Sequence, residues 1–267
     1  MSEFKQTFNS SLGKKLIMAL TGLFLCTFLI VHLGGNLLLF RDDKGYGFNM
    51  YANFLTHFPP IEVVAYILYL CIIVHAIYAL VLTIQNRKSR PVKYYAQNEA
   101  PATWQSKNMG LLGSILLLFI VIHMSDFWFA YKYSHKVPYI EYRTNLSTGE
   151  MTSVPYNAGA GDFEKAIFDT TDPKTGDPYE VVRVKDLHFR VADSFSNPLY
   201  DLFYVIAMVA VAFHLVHGFQ SAFQTLGWTH RKYTPVVQFV GKWFFGFIIP
   251  VGFALMPIIY YLQSLSK

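Results

Sequence analysis

"TGLFLCTFLIVHLGGNLLLF" fills positions 21–40. The stretch contains no Asp, Glu, Lys or Arg. It matches the run of about 20 apolar residues that a helix needs to cross a hydrocarbon core. One side chain, His32, sits badly on a lipid-facing helix. The same arrangement returns three times: His75 in "AYILYLCIIVHAIYALVL" (65–82), His123 in "GLLGSILLLFIVIHMSDFWF" (110–129) and His214 in "DLFYVIAMVAVAFHLVHGF" (201–219). Ionisable groups in membrane helices face the bundle interior and serve a purpose. One imidazole could be explained by a hydrogen bond to a neighbouring helix; four on four successive apolar segments call for a shared role.

The composition agrees. The chain of 267 residues is 53% hydrophobic and 17% aromatic, with 15% charged residues against about 25% in soluble domains. The charge is concentrated between apolar stretches at about 16–40, 61–85, 109–131, 198–226 and 243–262. These predict an all-α integral membrane protein: one membrane domain over 1–267 with five transmembrane helices and a long insertion at 132–197.

The net charge of +5 is a topology signal, not a nucleic-acid footprint. Short segments on one side hold Lys5, Lys14, Lys15, Arg87, Lys88, Arg90, Lys93, Lys107, Arg231, Lys232 and Lys242; the other side holds Arg41, Lys44 and Lys267. The excess of basic residues marks the cytoplasmic face. The amino terminus is therefore expected inside and the carboxyl terminus outside, in a bacterial cytoplasmic (inner) membrane. The first apolar run continues to Phe40, longer than a signal-peptide core, so a retained helix is expected. Cys26 and Cys71 both lie within spans as ordinary small residues, and with no CxxCH or cysteine cluster, covalent haem and iron–sulfur centres are excluded.

Segments 41–60 and 86–108 read as short loops, with "FPPIE" (58–62) opening the second span at prolines a helix start tolerates. Segment 132–197 is extracytoplasmic by topology and reads as a small hairpin-bearing cap. In it "DTTDPKTGDPYE" (169–180) has turn chemistry and "YEVVRVKDLHFRV" (179–191) alternates like a strand. Its "NAGAGD" (157–162) lacks the strand–helix context of a phosphate site.

Depth gives the histidines meaning. His32 lies 17 residues beyond Lys15 and His123 lies 16 beyond Lys107, both about 25 Å from the inner anchor on outward-running helices. His75 lies 15 residues beyond Pro60 and His214 lies 16 beyond Pro198, both about 23 Å from the outer edge on inward-running helices. Two depth-matched pairs on four helices suit bis-histidine haem b, one imidazole from each of two facing helices per iron. The first four helices thus form a haem-binding bundle, with His32 and His123 on an outer haem and His75 and His214 on an inner one, as axial iron ligands. Gly35 and Asn36 share the His32 face. Zinc would take three or four ligands at a single depth. His217, one turn past His214, is the alternative ligand or a contact to a propionate or quinone. His57, His135, His188 and His230 fall in loops. The fifth span, with Gly246, Pro250, Gly252 and Pro257, carries no histidine and is expected outside the bundle.

These residues resemble those of the single-chain, two-haem cytochrome b subunit of succinate:quinone oxidoreductases, the succinate dehydrogenases and fumarate reductases. "TGLFLCTFLIVH" (21–32) is similar to that family's first-helix block. The glycine-to-histidine interval of ten recurs as Gly113 and His123, and "FHLVHGFQSAFQTLGW" (213–228) resembles the fourth-helix block, whose first histidine is a haem ligand. The resemblance covers the five spans and not 132–197. It implies pairing of helices one with three and two with four, the same pairing that depth gives. It also implies a flavoprotein subunit with the dicarboxylate site, an iron–sulfur subunit, and a quinone, usually menaquinone, as membrane partner. A higher oligomer of the complex is left open. Where some members carry a proton-route glutamate two residues before the fourth-helix ligand, this chain has Ala212.

The expected role is an electron-transfer anchor in the respiratory chain, with dicarboxylate chemistry on partner subunits and no catalytic residue on this chain. A quinone site is expected near Asn53, His57 and Glu62 on the outer side, or near His217, Trp228 and His230 on the inner side. Competing readings are a two-haem subunit of a hydrogenase or nitrate reductase, and a transporter. A transporter should show an inverted repeat or broken helices at mid-membrane, and neither is legible.

Overall fold

The computed structural model describes residues 10–88, 103–134, 136–157 and 165–266. Lys5, Arg90, Lys93, His135, Lys267 and most of "NAGAGD" lie outside them. Five helices are long and apolar enough to cross a membrane: α1 (Ser11–Phe40), α3 (Pro59–Lys88), α4 (Trp104–Tyr133), α6 (Pro198–Thr225) and α7 (Thr234–Leu265). Three of them, α3, α4 and α7, run past the expected bounds at both ends, α1 begins earlier than expected, and α6 matches its expected span to within one residue. A segment in hydrocarbon must satisfy its own backbone, which the helix does residue by residue. Two shorter helices complete the set, α2 (Tyr46–His57) and α5 (Leu187–Ser194).

The all-α expectation needs correction. A four-stranded antiparallel sheet, β1 (Tyr139–Asn145), β2 (Met151–Tyr156), β3 (Lys165–Thr171) and β4 (Pro178–Lys185), has the order β2-β1-β4-β3. The turn reading of 169–180 holds only for 172–177, closed by Asp172 N–H to Asp177 O at 2.9 Å, while its two ends belong to β3 and β4. The strand reading of 179–191 holds only to Lys185: the Asp186 carboxylate accepts from Phe189 N and starts α5 instead. The supposed loop 41–60 contains α2, a 12-residue helix entered through Lys44 and Gly45 at positive φ.

Two compact units divide the chain. The first comprises residues up to Leu33, Ala65–Ile120 and Asp201–Ile259. Within it α7 packs on α6 and α1 through glycines, as small residues let membrane helices approach. A Cβ on Gly246 would stand 2.2 Å from Val216 Cγ2, and one on Gly252 would stand 3.0 Å from Leu33. Phe219 and Phe245 meet at 4.6 Å between ring centres. In α7 the stretch Val240–Ile248 is π-helical and ends just before Pro250. A proline ring clashes with the carbonyl four residues back, and a widened turn relieves that.

The second unit comprises Gly34–Val64, Val121–Tyr200 and Tyr260–Lys267. Its core is Ile140, Tyr142, Val182 and Val184, with Tyr46 and Met50 of α2 packed against one side. Asn49, fully buried, ties the layers: its amide donates to Tyr142 Oη at 2.9 Å and Asp186 Oδ1 at 2.8 Å, and its carbonyl accepts from His188 N. Glu141, also buried, lies 2.6 Å from both Arg143 Nε and Arg183 Nε. In α4 the π-helical turn Met124–Phe129 carries Asp126, which accepts from Arg190, Ser194 and Tyr200.

Two predictions follow the packing. Burial raises the Glu141 carboxyl, but hydrogen bonds from Arg183 and Arg143 outweigh it and hold the group below its ordinary 4.5. A depressed native value stabilises the fold fully above the unfolded value and is lost as pH falls through the native one. The sheet should therefore be at full strength at neutral pH and loosen below about 4.5. Glu141→Gln should cost about 1–3 kcal/mol at neutral pH and flatten that acid response, read by amide hydrogen exchange in β1 and β4. Separately, Gly246→Ala should destabilise the α6–α7 contact by about 1–3 kcal/mol through overpacking. The melting temperature in detergent should fall, and adding Val216→Ala should restore it.

Candidate functional site

Four helices of the first unit converge on one spot. His75 projects from α3 and His214 from α6, and their rings stand 6.3 Å apart between centres at 62°. From α1, Thr21 Oγ lies 3.0 Å from His75 Nδ1. The next residue, Gly22, has no side chain to obstruct the ring: a Cβ there would stand 3.3 Å from His75 Cε1. From α4, Gly113 faces His214 in the same way, with 3.9 Å to Cε1. Within this unit the backbones of α1, α3, α4 and α6 seldom come within 8 Å of one another.

The spacing of the two imidazoles suits a shared metal. Metal–imidazole bonds are about 2 Å long and each nitrogen lies about 1.1 Å from its ring centre, so two imidazoles on opposite sides of one ion have centres about 6 Å apart. Rings in simple edge contact share this range, so the state of the nitrogens matters. The Thr21 hydroxyl donates to Ile17 O at 2.7 Å, and its oxygen is then an acceptor for the proton on His75 Nδ1. That tautomer leaves the lone pair on Nε2, the nitrogen a metal takes. His214 Nδ1 is buried with no hydrogen-bond partner among the described residues, so no described side chain fixes its tautomer as Thr21 does for His75. The described residues contain no group of three or more His, Cys, Asp or Glu that could hold a metal. Two opposed imidazoles with glycines on either side fit haem b, whose macrocycle supplies the other four nitrogens.

His217 stays half-exposed one turn further along α6; the ring that meets His75 is that of His214. His32 belongs to the first unit, stacked on Phe28 at 5.1 Å and tilted against Phe253 of α7 at 5.4 Å. His123 belongs to the second, with Phe127 at 5.4 Å. Ala212, half-buried, puts a methyl group where a proton carrier could stand.

The two quinone regions differ. On α2 of the second unit, Met50, Asn53, Phe54, His57 and Phe58 line a recess of about 360 Å³, within the range of about 300–1,000 Å³ for small-molecule sites. Asn53 is buried, and His57 Nδ1 donates to its carbonyl at 2.8 Å. Glu62 is not among these lining residues; it is ion-paired with Lys132 at 2.9 Å. In the first unit, a cleft of about 20 Å³ is lined by Trp228 with Gln220, Gln224 and Gln238 but by neither His217 nor His230. It is too small for a quinone ring. His230 instead closes a turn, accepting from Lys232 N and donating its own N–H to Thr234.

Sequence reading missed Thr21. The residue stands directly before Gly22 in the quoted stretch, but a threonine inside an apolar helix ordinarily bonds back to its own carbonyls, which hides a second, interhelical bond. The glycines carried more than the reading gave them. Gly22 and Gly113 precede His32 and His123 by ten residues on their own helices, yet each faces a histidine of another helix. Comparison of the chain with protein-family models, curated proteins and solved structures gave no match.

Proposed function

We propose that this chain is the membrane-embedded two-haem cytochrome b subunit of a succinate:quinone oxidoreductase. In this role it joins a flavoprotein and an iron–sulfur subunit on the cytoplasmic face to membrane quinone, menaquinone by the resemblance. The observation that carries the proposal is the opposed pair His75 and His214, 6.3 Å apart, on two different membrane helices. Haem b bound there would supply reversible one-electron transfer. The protein's part is to hold it: His75 and His214 as axial ligands, Gly22 and Gly113 admitting the rings, and apolar helices excluding water. A second haem on His32 and His123 rests on their matched depth in the sequence.

At the α2 recess, the Asn53 carbonyl keeps the His57 proton on Nδ1. Nε2 is then the basic nitrogen, suited to taking a proton from a quinol hydroxyl. Glu62, expected at the same site, is ion-paired with Lys132. The extracytoplasmic placement of the sheet belongs to the same proposal and rests on the charge asymmetry of the short loops.

Pyridine haemochrome analysis of the purified protein should give two b haems per chain. His75→Ala or His214→Ala should remove one, and His32→Ala or His123→Ala the other. A chain that binds no haem overturns the proposal. Loss of the inner haem on His217→Ala, with retention on His214→Ala, overturns the ligand assignment. Copurification with hydrogenase or nitrate reductase subunits in place of a flavoprotein with dicarboxylate activity would reassign the complex.

A further inference from the structure

We propose that Thr21 is a positioning residue for His75: its hydroxyl oxygen accepts the Nδ1 proton and thereby aims and sharpens Nε2 as an electron-pair donor. This deepens the haem reading and rests on it for its redox consequence, though the hydrogen bond itself stands without a cofactor. The directionality follows from counting protons. A threonine hydroxyl has one hydrogen, and two carbonyls of the preceding turn compete for it, Ile17 O at 2.7 Å and Met18 O at 3.3 Å. Carbonyls only accept. What reaches His75 Nδ1 at 3.0 Å is therefore an oxygen lone pair, and Nδ1 must carry the proton.

Gly22 completes the device from the adjacent position. Cε1 lies between the two ring nitrogens, and a side chain at Gly22 would press on it from 3.3 Å, turning both nitrogens away. One residue thus draws the ring toward α1 and the next leaves room for it. The opposing His214 has no such acceptor: its Nδ1 is buried without a partner among the described residues. The two imidazoles of the pair are therefore unequal. His75, with its Nδ1–H engaged, is the stronger electron-pair donor of the two. A haem held by it would be stabilised in the ferric state and would have a lower midpoint potential.

The test is Thr21→Val, which keeps the branched shape and removes the hydroxyl, with Thr21→Ala as a second variant and Thr21→Ser as the conservative one. In the haem-loaded protein, Thr21→Val should move the inner-haem midpoint to a more positive value and weaken haem retention by about ten- to a hundredfold, while the outer haem keeps its potential. Thr21→Ser should restore both. In protein made without haem, nitrogen NMR of labelled histidine should show His75 protonated on Nδ1, and Thr21→Val or Thr21→Ala should redistribute that proton. If the wild-type chain takes up no haem, the proposed function fails and the NMR arm still decides the role of Thr21. If haem is bound and Thr21→Val and Thr21→Ala leave potential, retention and tautomer unchanged, the inference is wrong. A loss of haem that Thr21→Ser does not rescue would assign Thr21 to packing alone and equally overturn it.

Discussion

A polypeptide in hydrocarbon has no water to bond its peptide groups, and every feature of the bundle follows from that constraint. Each long apolar segment closes its backbone hydrogen bonds within itself, so chemistry can enter only through side chains. Any polar side chain admitted must also find a partner inside. His75 meets this demand on one nitrogen through Thr21. His214 leaves a nitrogen orphaned among the described residues. The two imidazoles of this pair therefore meet the demand unequally.

The same constraint shapes the interfaces. Without a hydrophobic drive between helices in lipid, close approach depends on shape. On α7 the glycines at 246 and 252 serve α6 and α1. At the pair site, Gly22 and Gly113 serve imidazoles instead of neighbouring backbones. Glycine thus does two jobs here, joining helices where the bundle should be tight and giving way where it should stay open. Phe253 against His32 shows that α7 also touches the histidine layer and is more than an outer support.

The second unit follows different rules. Its sheet is held by the apolar cluster of Ile140, Tyr142, Val182 and Val184 and by buried polar groups with several partners each. Asn49 is the clearest case, bonding Tyr142, Asp186 and the backbone of His188 at once. Glu141 is buried between two arginines, with Arg183 further held over the rings of Tyr156 and Phe168. Partners drawn from α2, β1, β4 and α5 make these elements interdependent, because removing one leaves a buried donor or acceptor unmet.

The sequence by itself determined the five membrane helices and the presence of an imidazole on four of them. Hydropathy runs and residue counts along a 1.5 Å rise are local quantities. It also supplied the residue counts on which the depth pairing of the histidines rests. It determined the sheet only in part, as a hairpin-bearing cap with a strand at 179–185; β1 lacks clean alternation because Glu141 is buried among apolar neighbours, a burial possible only once Arg143 and Arg183 arrive. It did not show α2, whose apolar face exists for Tyr142 and Val182 of distant strands. Nor did it show that Glu62 is ion-paired with Lys132, 70 positions away. Rotation about each helix axis, and so the meeting of Thr21 and Gly22 with His75, was decided only by the tertiary structure. A helix tells how deep a side chain lies, and only its neighbours tell which way it turns.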